Sequence, residues 1–172
     1  MTEDNTENLL TIELKDGTVE IELFPEDAPR HVERIKELAQ EGLYDGVTFH
    51  RVMEGFMAQT GDVKFGNYYD YDEHKVGTGG SDKPDLAAEF NERKHVRGTC
   101  SMARSSLPDS ANSQFFICFD TADFLDGDYT VWGQVIAGME HVDKIKRGAS
   151  GSGSVTDPDF MSKVFPGKCE GD

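Results

Sequence analysis

The first regular pattern in the chain is an alternation of apolar and polar residues on both sides of a turn at Asp16–Gly17. The alternating apolar positions are Leu10, Ile12, Leu14, Val19, Ile21 and Leu23. A period of two is typical of a strand with one buried face, and Asp-Gly is a favoured hairpin turn. We therefore predict a β-hairpin that contributes one face to the core.

A helical spacing follows the hairpin. Residues 27–29, Asp-Ala-Pro, are typical of a helix start, because the fixed φ of proline suits the first turn. The apolar stripe of this helix is formed by Val32, Ile35, Leu38 and Ala39. Gly42 stands where a left-handed cap is expected. A second short helix is predicted from the spacing of Met139, Val142 and Ile145.

Further strands are predicted at residues 98–103, 114–119, 130–135 and 160–165. Both faces of 114–119 are largely apolar, as in a closed barrel or a strand covered on both sides. Many short strands with two helices indicate a barrel or sandwich capped by helices. The length of 172 residues suits one domain, which we place at residues 9–172 after an acidic, mobile tail at 1–8.

The chain is strongly acidic, with a formal net charge of −16 at pH 7. Such a surface repels nucleic-acid phosphates, so we expect no nucleic-acid partner. The acids are spread along the whole chain, as in proteins that stay soluble when salt screens their charges. We therefore hypothesise a halophilic source.

Other features of the composition concern location and assembly. The N-terminal residues lack the basic and apolar regions of a secretory signal, and no apolar run reaches the roughly 18 residues of a membrane helix. Cys100, Cys118 and Cys169 show no paired spacing and are expected to be packing residues. No long apolar stripe is left over for a partner. We therefore expect a cytoplasmic monomer that binds no membrane.

The usual motifs of metal, nucleophilic and phosphate chemistry do not occur. The five histidines show no H-E-x-x-H and no paired Cys/His spacing, and there is no G-x-S-x-G. The segment Gly77–Gly80 lacks the Gly-Lys-Ser/Thr of a phosphate-binding loop. We expect no metal and no cofactor, and any catalysis should need neither a nucleophile nor an acid–base pair.

The most informative stretch is Phe49 to Asp62, FHRVMEGFMAQTGD. It places Arg51, which is always charged and carries five donors, in an apolar strand. Gln59 adds an amide that can both donate and accept. This combination suits an uncharged polar substrate lying on a hydrophobic bed. From these residues alone, a structural salt bridge at Arg51 is an equally good interpretation.

Residues 63–80 are rich in glycine, tyrosine and aspartate and have no sustained period, so we predict a long loop. Three tyrosines, Tyr68, Tyr69 and Tyr71, are interleaved with acids in its first part, residues 63–76. The tyrosines could form a contact surface, or the segment could be a solvated excursion. Both interpretations stay open.

Four blocks of sequence resemble, in order, the cyclophilin-type peptidyl-prolyl cis–trans isomerases: FHRVMEGFMAQTGD, GTGG, SMARSSLPDSANSQFFIC and DFLDGDYTVWGQV. The resemblance extends from about Leu10 to Arg147. It implies a mainly β fold, namely a closed eight-stranded antiparallel barrel with an α-helix at each open end and a groove on its outside. It also implies rotation about X–Pro bonds of proline-containing peptides and folding proteins, without a cofactor or covalent intermediate.

The resemblance also implies roles for individual residues. Arg51, Phe56 and Gln59 match the catalytic set, in which the arginine acts on the X–Pro bond and the amide holds the substrate backbone. The residues that match the substrate-binding groove are Met57, Gly77, Ala103, Arg104, Gln114, Phe116, Phe124, Leu125 and Tyr129.

Several positions depart from the family pattern. Arg104 replaces a common asparagine, and we expect it to change the preferred residue before proline more than the activity. Phe124 replaces the tryptophan of many eukaryotic members, so we expect weak cyclosporin binding, because phenylalanine has no indole N–H. Tyr129 replaces the pocket histidine, as in bacterial-type members. The loop before GTGG is longer than in compact members.

A prolyl isomerase is therefore the leading hypothesis. The rival is a domain that binds proline peptides without catalysis, which would have less need of Arg51. A hydrolase on a similar barrel is a third possibility, for which the sequence shows neither a nucleophile nor a metal site.

Overall fold

The computed structural model describes residues 8–167, and the predicted tail at residues 1–7 and Cys169 lie outside them. The strands and helices are, in order, β1 (Leu9–Leu14), β2 (Gly17–Leu23), α1 (Pro29–Gln40), β3 (Arg51–Met53), β4 (Met57–Thr60), β5 (Thr99–Met102), β6 (Phe115–Cys118), β7 (Val131–Ala137), α2 (Met139–Val142) and β8 (Lys163–Pro166). Two 3-10 turns lie at Tyr68–Asp70 and Asp123–Leu125. No helix in the described part of the chain is long and apolar enough to span a membrane.

All eight strands form one antiparallel sheet in the order β3-β4-β6-β5-β7-β2-β1-β8. The predicted hairpin of β1 and β2 is confirmed, with Leu10 opposite Ile21 and Ile12 opposite Val19. These four side chains are fully buried in the main core, together with Trp132 of β7. The alternation of the first strands therefore does mark the face that packs inward.

The sheet is open, so the expectation of a closed barrel is wrong. Its edges are β3 and β8, and within residues 8–167 no ladder joins them. The segment 151–161 runs between the edges and forms only isolated bridges, including Arg51 with Ser154 and Thr48 with Phe160. This segment contains two glycines with positive φ and Pro158, which cannot donate to a ladder. A regular closing pair is therefore interrupted.

The helix α1 begins at Pro29, as predicted, but its N-terminus is capped from a distant segment. The Glu89 carboxylate accepts from the main-chain N–H of Arg30 (3.1 Å) and of His31 (2.9 Å). It also lies 2.6 Å from Nδ1 of the buried His31 ring. Asp27, the acid in the predicted start signal, instead bonds to Arg93. The helix packs its apolar stripe against β7 and β8.

The two C-terminal elements differ in extent from the predictions. The helix α2 ends at Val142, and Ile145 is buried in the turn that follows it. The predicted strand at 160–165 is found as β8 at Lys163–Pro166. Cys100 and Cys118 are buried free thiols, as expected for packing residues.

Candidate active site

A short hairpin places the two polar residues of the opening stretch side by side. The strands β3 and β4 pair so that Arg51 lies opposite Gln59. Gly55 makes the turn between them with φ +75°, a conformation that favours glycine. Arg51 Nη1 donates to Gln59 Oε1 at 3.2 Å, and Nε donates to the carbonyl of Ser152 at 3.3 Å.

A chain of amide hydrogen bonds continues from this pair. Gln59 Nε2 donates to Gln114 Oε1 (3.0 Å), and Gln114 Nε2 donates to the carbonyl of Gly79 (2.9 Å). Within the described residues Arg51 forms no ion pair with a carboxylate. The guanidinium therefore keeps its charge and donors on the side of the groove, and the structural salt bridge that the sequence allowed is not found.

An apolar cluster separate from the main core lies beside this chain. Its buried members are Met57, Phe116, Cys118, Ala122 and Leu125, and packed against them are Met53, Phe56, Ala103 and Tyr129. Together with Arg51 and Gln59, most of these side chains line a cavity of about 410 Å³. The cavity therefore has an apolar floor and one cationic wall, which suits a small apolar ring attached to a polar backbone.

The glycine segment that borders the cavity is held by one buried carboxylate, Asp62. Its Oδ2 accepts from the main-chain N–H of Gly77 (2.7 Å) and Gly79 (3.0 Å). Its Oδ1 accepts from the N–H of Lys64 (3.1 Å) and Phe65 (2.9 Å). A carboxylate saturated by main-chain donors fixes both ends of the loop 63–80 to the end of β4.

His50 lies directly before Arg51 and lines the same cavity. Its ring is 7% exposed, and neither ring nitrogen has a hydrogen-bond partner among the described residues. Burial lowers the pKa of His50 to about 4, the Asp62 carboxylate opposes this shift, and the Arg51 cation adds to it. The imidazole is therefore neutral near pH 7 and leaves Arg51 as the cation of this wall.

Arg104 and Tyr129 form the opposite wall. The guanidinium of Arg104 lies 4.6 Å from the centre of the Tyr129 ring and donates to the carbonyl of Asp128 at 2.7 and 2.9 Å. Arg104 also borders a neighbouring cavity of about 520 Å³, which Asp82, Asp85 and Lys64 line with polar groups. The side chain that replaces the family's asparagine therefore separates two parts of one groove.

The long loop contributes to the groove as well as to the surface. Glu73 and Val76 line the cavity with the apolar cluster. Tyr68 instead stacks on Phe160, with ring centres 4.6 Å apart, and Tyr69 is 78% exposed beside it. The loop is thus more than a solvated excursion, because its second half borders the cavity.

The structure brings the residues predicted for the site together, with one at its margin. Phe124 is 67% exposed and contacts the groove through Phe56, with ring centres 5.5 Å apart. Residues that the sequence analysis did not assign are Asp62, His50 and Ser152. In the described part of the chain, no group of three His, Cys, Asp or Glu residues is arranged to hold a metal ion.

The family profile described as "Cyclophilin type peptidyl-prolyl cis-trans isomerase/CLD" matches residues 9–164. The chain belongs to this family. It is 58% identical over 160 residues to a probable peptidyl-prolyl cis-trans isomerase of Brucella suis, covering 92% of this chain and 82% of that protein. It is 40% identical to a peptidyl-prolyl cis-trans isomerase of Helicobacter pylori, covering 80% of each chain.

Solved cyclophilins have the same fold. One from Cryptosporidium parvum, crystallised in the presence of the dipeptide Ala-Pro, matches with a TM-score of 0.80 at 26% identity, covering 94% of this chain and 99% of that one. A cyclophilin from Hirschia baltica matches with a TM-score of 0.77 at 28% identity, covering 92% and 73%. The protein is thus a cyclophilin-type peptidyl-prolyl cis–trans isomerase.

Proposed function

We propose that the groove isomerises X–Pro bonds by binding the twisted peptide bond more tightly than the planar one, with Arg51 as the group that makes the difference. The barrier to rotation is about 18–20 kcal/mol because the nitrogen lone pair is shared with the carbonyl. Twisting returns the lone pair to nitrogen. A guanidinium donor aimed at that nitrogen stabilises the twisted state alone, which is the condition for catalysis.

The surroundings of Arg51 support this role. It is held by neutral acceptors, Gln59 and the Ser152 carbonyl, rather than by a carboxylate that would neutralise it. The proline ring would lie on the apolar cluster, with Phe56, Met57, Phe116, Leu125 and Tyr129 around it. Gln59 would hold the substrate backbone, and the main chain at Ala103 would pair with the extended peptide. Proline-containing peptides are the proposed substrates, in keeping with the Ala-Pro dipeptide used with the Cryptosporidium relative.

The observation that carries the proposal is a half-buried arginine with no ion-pair partner in the described residues, beside an apolar cavity of proline-ring size. A domain that only binds proline peptides would need the cavity but not the free guanidinium. The two functions therefore differ in what removal of the guanidinium does: it should abolish catalysis and leave most of the binding.

The test is a protease-coupled cis–trans assay on an Ala-Pro peptide in high salt. We expect Arg51→Ala to lower kcat/KM by about 10²–10³-fold, the usual effect of removing one transition-state donor. Arg30→Ala, which removes an exposed arginine of α1 far from the groove, is the matched control and should keep full activity. An inactive wild type that still binds the peptide would support the binding domain instead.

Several further features of the protein stay proposals. The net charge of −16 supports a halophilic source, and a melting temperature that fails to rise between low and molar salt would contradict it. The exposed Phe124 supports weak cyclosporin binding, because its ring offers no donor. A cytoplasmic, monomeric protein of bacterial type that assists folding remains the prediction from the sequence.

A further inference from the structure

Two histidines in this protein share one unusual arrangement. Each ring is fully buried, and each residue bonds the same carboxylate through both its main-chain N–H and its ring Nδ1. For His31 the acceptor is Glu89, at 2.9 and 2.6 Å. For His95 it is Asp126, at 2.7 and 2.9 Å. The first pair caps a helix, whereas the second lies directly behind the proposed proline pocket.

His95 is bonded to both ends of the turn that forms one wall of that pocket. Its carbonyl accepts from the N–H of Ala122 (2.9 Å), immediately before the 3-10 turn Asp123–Leu125. Its own N–H and its ring bond to Asp126, immediately after that turn. The N–H and ring of His95 also hold the pKa of Asp126 below its usual range. Because a carboxylate only accepts, Nδ1 is the donor in this bond.

The other faces of the His95 ring contact the remaining parts of the pocket. The ring is stacked on Phe116, with centres 6.1 Å apart and an interplanar angle of 17°. It meets Tyr129 edge-on at 6.5 Å. Its Nε2 lies 2.9 Å from Oγ of Ser101, a buried hydroxyl that also donates to the carbonyl of Thr130 (3.0 Å). One side chain thus touches the floor, the side and the carrier turn of the pocket.

We propose that His95, through Asp126, is a positioning residue that fixes the proline pocket relative to Arg51. It touches no substrate itself. Its bonds to both ends of the turn set where Leu125 stands, and its ring sets where Phe116 lies. Loosening these contacts should widen the site for the proline ring in both the planar and the twisted states. The loss is therefore expected in substrate binding, whereas loss of the Arg51 guanidinium is expected in kcat.

The test compares His95→Ala with His31→Ala, because both remove an equally buried ring bonded to a carboxylate. We expect both variants to melt at lower temperature. In the protease-coupled assay His95→Ala should raise KM by about tenfold or more, since displacement of a positioned group by about 1 Å can cost up to about 100-fold. His31→Ala should keep KM and kcat within about twofold of wild type. Asp126→Asn, which keeps an oxygen acceptor, should retain most of the binding that Asp126→Ala loses.

The inference rests on the proposed use of this pocket for proline, and the experiment separates the two. Binding of an Ala-Pro peptide, measured by calorimetry, gives the effect on the pocket even for a protein without catalysis. If His95→Ala does not fold, Asp126→Ala provides the same comparison from a partly exposed position. A KM and a peptide Kd that stay within about twofold of wild type in the folded variant, with only the melting temperature lowered, would overturn the proposal.

Discussion

The dependence of folding on pH can be worked out from His50, the buried imidazole next to Arg51. Burial lowers its pKa from 6.5 to about 4. At about 1.36 kcal/mol per pKa unit, this interval corresponds to about 3 kcal/mol. Between pH 6.5 and 4 the unfolded chain takes up a proton at this residue and the folded chain does not. The stability is therefore fully present above pH 6.5 and is lost as the pH falls toward 4.

The assay is urea unfolding of the wild type and of His50→Gln, at pH 7.5 and at pH 4.5 in the same salt. Glutamine is polar and of similar size but does not titrate. The wild type should lose about 2–3 kcal/mol more than the variant between the two pH values. The comparison cancels the carboxylates and His31, whose pKa burial also lowers. Equal losses in the two proteins would refute the assignment of the titration to His50.

Three further predictions concern the margins of the groove. Asp62→Ala should destabilise the fold by about 3 kcal/mol or more in urea unfolding, because four main-chain N–H groups lose a charged acceptor, whereas Asp62→Asn should cost clearly less. Phe124→Trp should lower the cyclosporin Kd by about tenfold in calorimetry, since the indole N–H adds a donor; an unchanged Kd would count against the explanation. Gly153→Ala should lower kcat, because a Cβ there would lie 3.1 Å from Cγ of Arg51 and 2.8 Å from Cγ of Met53. Gly151→Ala is its control, since Gly151 also has a positive φ but has open space around its Cα, and equal activities would contradict the reasoning.

Much of the fold follows from spacing along the chain, since a period of two or of 3.6 involves only near neighbours. The hairpin of β1 and β2 and the start of α1 at Pro29 are both of this kind. The capping of α1 by Glu89 is not, because about 58 residues separate the carboxylate from the N–H groups that it accepts. The same limit applies to the pairing of His95 with Asp126, 31 residues away. Bonds of this length leave no local pattern to read.

The site shows the same division. Arg51 and Gln59 are predictable because they occupy paired positions of one short hairpin, eight residues apart. Asp62 belongs to the same stretch, but nothing near it in the sequence indicates that its carboxylate accepts from Gly77 and Gly79. Phe124 is the converse case. It occupies the position of a drug-binding tryptophan in the family pattern, yet its ring is mostly exposed and reaches the groove only through Phe56.

The open edge of the sheet bears directly on the arginine. β3 is three residues long and is paired on one side only, with β4. On its other side Val52 donates to the carbonyl of Gly153 (2.8 Å), and the side chain of Arg51 donates to the carbonyl of Ser152. A regular strand would present its carbonyls in alternating directions, but a glycine with φ +79° allows the chain to turn these two toward β3 and Arg51. The irregular segment that keeps the barrel from closing is therefore also the one that orients the guanidinium from behind.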